Sequence, residues 1–165
     1  MRFALLLLGV LAVPLYASEE LEKSLAGDPH VLEIFATLLA NGGMGSVSRE
    51  AAAFITIDER GRYRCERWPY RNGYQKQVFH GAVPEFTIAI AHTHPKSSRK
   101  PSPADRQTAR TSGLPVFVLT PRDIWVATPE GAIAPLVVNR TWATGLRADS
   151  SCVDVPNPRV ARIGD

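Results

Sequence analysis

Histidine and cysteine are scarce in this chain, four and two among 165 residues. That scarcity excludes several chemistries. There is no Pro-Cys-x-x-Cys pair, so the cysteine-ligated zinc of nucleobase deaminases is ruled out. No histidine follows His94, so the further downstream ligands of phosphoesterase and amidohydrolase metal sites are missing. One apolar run opens the chain and no second follows, which leaves nothing later to span a bilayer. The formal charge is only +3. Without a basic stripe and interleaved aromatics, nucleic acid is not an expected partner. There are no internal repeats.

The opening run is built like a secretory signal. Met1-Arg2 is a short basic start, Phe3 to Leu15 is apolar, and Leu15-Tyr16-Ala17 offers a small-residue cleavage site. Residues 1–17 are therefore expected to be a signal peptide that sends the protein to the periplasm or the extracellular space. The run is too short for a comfortable span, and no cysteine near the cut could carry a lipid, so no stable membrane anchor is expected after cleavage. Loss of Arg2 takes the charge from +3 to +2. Roughly 150 residues remain, enough for one packed domain. Residues 18–139 are expected to form it, with 140–165 as an irregular tail. In an exported chain, Cys65 and Cys152 invite a disulfide tying that tail to the second strand; two free thiols are the alternative.

Between those limits the hydrophobic periods are readable. Asp28-Pro29 opens a helical pattern carried by Val31, Leu32, Ile34, Phe35, Leu38 and Leu39 and closed by Asn41-Gly42-Gly43. His30, near its start, reads as an exposed residue. Glu50 to Asp58 reads as a strand, Asp58 to Gly61 as a turn, and Arg62 to Trp68 as the returning strand. Tyr70 to Pro84, including His80, reads as a loop. Phe86 to Ala91 is an apolar strand pattern, and a Ser102-capped helix runs to Ser112-Gly113. Pro115 to Thr120 and a hairpin of Ile124–Thr128 with Ala132–Val138 complete the series. The order implies an α/β chain, mixed in the α+β sense, with helices packed against a mixed central sheet.

The chemistry gathers where the Phe86–Ala91 strand ends, at His92-Thr93-His94-Pro95. Side chains at i and i+2 of a strand leave the same face, so the two imidazoles converge, and Pro95 cannot continue the ladder. Six residues on, Ser102-Pro103-Ala104-Asp105 reads as a helix start, with Ser as cap and a carboxylate at the third position. Two histidines and one carboxylate, with a fourth position open to water, form the ligand set of a catalytic zinc. The six residue types coincide by chance in a chain of this length on the order of once in a million.

His92-Thr93-His94-Pro95-x6-Ser102-x2-Asp105 resembles the JAMM signature (also called JAB or MPN-plus) of zinc metalloproteases, whose usual form has Ser or Thr between the histidines. The resemblance runs from about Glu50 to Val138. It implies a cytidine-deaminase-like JAB/MPN fold and one Zn2+ per chain held by His92, His94 and Asp105. It also implies a glutamate at the start of an upstream strand acting as general base. Glu50, in Arg49-Glu50-Ala51-Ala52-Ala53, takes that role, with Glu85 as its competitor, and Ala53 stands where the family often has Gly. Ser102 is implied as the donor to the developing oxyanion. The reaction implied is hydrolysis of an amide, either a peptide or an isopeptide bond.

For an exported enzyme the expected partners are a peptide, a protein or a peptidoglycan stem peptide; the oligomeric state is left open. Lys96, Arg99, Lys100, Arg106 and Arg110 read either as a solvated face or as a rim attracting carboxylates. Two alternatives stand beside the enzyme: a metal-free JAB-like binding or scaffold module, and a processing domain associated with a toxin system.

Overall fold

The computed structural model describes residues 16–46, 50–69, 79, 81–146 and 152–155. Most of the expected signal peptide, His80 and much of the expected 70–84 loop lie outside these residues.

Helix α1 (Tyr16–Gly27) was not foreshadowed by a long apolar stripe, and it crosses the expected cleavage point at Ala17. It packs through Leu21 and Leu25, which sit four apart on one face. Helix α2 (Pro29–Asn41) begins where the caps place it. The Asp28 carboxylate accepts from the amides of His30 and Val31, and Val31, Ile34, Phe35, Leu38 and Leu39 are buried. His30 is half-buried, its Nε2 3.2 Å from the Tyr63 carbonyl, rather than simply exposed. No described helix is long and apolar enough to cross a membrane.

The strands are β1 (Ala52–Ile57), β2 (Tyr63–Arg67), β3 (Thr87–Thr93), β4 (Val116–Thr120), β5 (Asp123–Ala127), β6 (Ile133–Val137) and β7 (Val153–Asp154). They form one mixed sheet in the order β6-β5-β4-β3-β1-β2-β7. Helix α3 (Pro103–Ser112) is the crossover that makes β3 and β4 parallel. The α/β expectation therefore holds.

Three local differences have physical causes. Phe86 takes a left-handed φ of 59° and lies 71 % exposed, so β3 starts one residue later than the apolar run suggests. The same strand runs on through Thr93, because the Thr93 amide donates to the Ala51 carbonyl. The tail is not uniformly irregular. Cys152 is bonded to buried Cys65, β7 pairs in parallel with β2, and the Trp142 indole donates to the Thr120 carbonyl at 2.7 Å.

Alternation along the strands gives the sheet two unlike faces. Ala53, Ile55, Ala89, Ala91, Phe117 and Leu119 lie under α1 and α2, where the Phe35 and Phe117 rings meet at 5.3 Å. Phe54, Ile90, Val116 and Ala127 form the other face, with Ala109 of α3 packed on them. Ala53 points into the first face, so its methyl stands away from the histidines.

Candidate metal centre

Ile90 and His92 share the face under α3, and His94 follows just past the strand end. Its amide donates to the Leu119 carbonyl at 2.9 Å, which keeps the chain extended for one residue more. The next turn completes the orientation: His94 Nδ1 lies 2.9 Å from the Ser98 carbonyl. Because a carbonyl only accepts, Nδ1 carries the proton and the Nε2 lone pair is left for a ligand role. That Nε2 sits 3.0 Å from His92 Nε2 and 3.6 Å from Asp105 Oδ2, and His92 Nε2 is 3.3 Å from Asp105 Oδ1.

These separations supply the fit test. Three donors each about 2.0–2.1 Å from one tetrahedral ion stand about 3.3 Å apart. The two Nε2 atoms and whichever Asp105 oxygen is nearer to each, 3.0, 3.3 and 3.6 Å apart, come close to that spacing, and one ligand atom from each residue lies within 4.8 Å of the others.

Asp105 is delivered by the first turn of α3. Its amide donates to Ser102 Oγ at 3.2 Å, and the Ser102 amide donates to Asp105 Oδ2 at 2.6 Å, a reciprocal capping box. Capping and ligand roles coexist, because Oδ1 remains turned toward His92. Burial penalises the Asp105 charge, yet the His92 imidazole and the Ser102 hydrogen bonds outweigh it and hold the carboxyl well below the usual range. Burial, and then the neighbouring His92, push the His94 imidazole below its ordinary 6.5. A neutral imidazole beside an ionised carboxylate is the protonation state a metal needs.

Glu50 lies two residues ahead of β1, not on the strand itself, and its Oε1 is 3.9 Å from His94 Nε2. The register explains its arrival: antiparallel pairing sets Ala52 opposite His92. Glu85 is exposed in the turn before β3. The six residues between it and His92 span roughly 20 Å of extended chain. Only Glu50, of the two, is brought to the histidines.

Two positions carry more than the sequence reading assigned them. Thr93 Oγ1 accepts the Ala51 amide at 2.9 Å while the Thr93 amide donates to the Ala51 carbonyl at 2.9 Å. This clamp fixes the residue next to Glu50. A Cβ on Gly42 would come within 2.4 Å of the same hydroxyl, so the end of α2 must be glycine there. The only sequence signal for Thr93 was the preference for Ser or Thr between the histidines. Arg99, read from sequence as part of a solvated face or a basic rim, donates from Nε and Nη2 to buried Asp123 and also reaches Asn139, pinning the loop between His94 and Ser102. Lys100 stands 5.0 Å over the Trp125 ring and Arg106 Nε donates to the Gly131 carbonyl.

Glu50, His92, His94, Ser102 and Asp105 all line one cavity of about 810 Å³. None of Lys96, Arg99, Lys100, Arg106 and Arg110 is among the described residues that line it.

The model of the family described as prokaryotic homologs of the JAB domain matches residues 45–132. No curated protein resembles the chain closely enough to match. A solution structure of a protein from Salinibacter ruber is similar over 78% of this chain and 98% of that one, at 13% identity and a TM-score of 0.39.

Proposed function

The chain belongs to the family of prokaryotic homologs of the JAB domain, and on that premise we propose that it is an exported zinc-dependent peptidase or isopeptidase. The observation that carries the reading is the convergence of His92 Nε2, His94 Nε2 and the Asp105 carboxylate, with nearest separations of 3.0, 3.3 and 3.6 Å, as one tetrahedral ion would need. A zinc ion held by His92, His94 and Asp105 would supply Lewis acidity there, acidifying water toward a pKa of about 7 and polarising a carbonyl.

The protein's own groups do the rest. Glu50, beside His94, takes a proton from the attacking water and delivers it to the departing amine nitrogen. Ser102 Oγ accepts from the Asp105 amide, which leaves its own proton to donate to the developing oxyanion, a contact worth roughly 3 kcal/mol in other hydrolases. Export is supported by the N-terminal sequence and by the Cys65–Cys152 bridge, which persists in oxidising compartments.

The test is amine release from peptide and lysine-isopeptide substrates by zinc-loaded protein. Glu50→Gln keeps its zinc and loses about 10²–10⁴-fold in turnover. Full activity in that variant contradicts the assignment.

A further inference from the structure

The cavity has two unlike halves. One holds the ligand triad with Glu50 and Ser102; the other is apolar, formed by Phe54, Trp68, Phe79, Val83, Ile90 and Val116. Three of these rings pack on one another, with centroids 4.9 Å apart for Phe54 and Phe79 and 5.3 Å for Trp68 with each of the other two. Phe54 is buried beneath, whereas Trp68 and Phe79 are only half-buried and Val83 is 50 % exposed. Among the described residues no Lys or Arg lines the cavity, and Arg99 is engaged on Asp123, Lys100 on Trp125 and Arg106 on Gly131.

We infer that the Phe54–Trp68–Phe79 wall is a specificity subsite that takes a bulky apolar or aromatic side chain of the substrate next to the amide being cut. The inference rests on the metallopeptidase reading and adds the substrate class to it. Trp68 and Phe79 set the preference by offering ring faces. An anionic side chain gains nothing from the described lining, since it would lose hydration against aromatic carbon and no Lys or Arg is among the described residues that line the cavity.

Hydroxamates that carry different side chains separate the two layers of the reading. Calorimetric titration of zinc-loaded full chain compares acetohydroxamic acid, the hydroxamate of N-acetylphenylalanine and the hydroxamate of N-acetylglutamate. The phenylalanine compound binds at least about tenfold more tightly than acetohydroxamic acid, and the glutamate compound does not. Trp68→Ala and, independently, Phe79→Ala abolish that advantage and leave acetohydroxamic acid unaffected; Trp68→Phe, which keeps a smaller aromatic face, loses a smaller part of it. Equal binding of the phenylalanine compound and acetohydroxamic acid, or preference for the glutamate compound, overturns the subsite while leaving the metal reading intact. Failure of all three to bind zinc-loaded protein overturns the metal reading and the subsite with it.

Discussion

The two faces of the sheet differ in how completely they are covered. Toward α1 and α2 the strands bury Ile55, Ala91, Phe117 and Leu119 without exposure, and the Cys65–Cys152 bridge closes the same core. Toward α3 one ten-residue helix, buried only at Ala109, covers part of Phe54, Ile90 and Val116 and leaves the cavity beside the histidines. Neighbouring residues of β3 face opposite ways: Ala91 belongs to the sealed core, His92 to the open one. Stability and chemistry are thus divided between alternate positions of the same strands, and a substitution on one face should spare the other.

The sharpest break of that division is on the sealed face. Phe35→Ala, which removes a ring packed on Phe117, costs about 3–5 kcal/mol in urea unfolding, while zinc per folded chain stays unchanged. Loss of zinc in proportion to stability would show that the faces are not separable.

Thr93→Val tests a side chain that joins both. Its hydroxyl holds Ala51 beside Glu50, so the variant loses about 1–2 kcal/mol, the cost of stranding a buried amide. It also loses turnover with zinc retained, and Thr93→Ser recovers both.

The smallest effect is on pH. His94 is held below 6.5 in the fold, so the unfolded chain binds that proton more readily. Metal-free protein therefore loses stability as pH falls below 6.5 toward the folded value, whereas above 6.5 the contribution is complete. Asp105, held low, acts the same way at lower pH, contributing above its ordinary 3.8 and losing that contribution as pH falls toward its folded value. His94→Gln removes the first part, visible as a flatter melting-temperature profile near pH 6.

What was legible in the sequence was local. Asp28-Pro29 and Ser102-Pro103 mark helix starts because capping is decided within three residues, and strand alternation placed His92 and His94 on one side. The unread features depend on partners far along the chain. Glu50 could be preferred to Glu85 by position only once β1 was set antiparallel to β3 with Ala52 opposite His92. Arg99 finds Asp123 24 positions away, and Cys152 brings β7 to β2 across 87. Phe86 misled for another reason: an aromatic is a strand former by propensity, yet here it sits in the left-handed region at the mouth of a turn.

Zinc content of the purified protein, measured beside His94→Ala, tests the metal centre most directly. About one zinc per native chain and almost none in the variant, with both folded, is the predicted result. A folded native protein that takes up no zinc even when the metal is added back would contradict it.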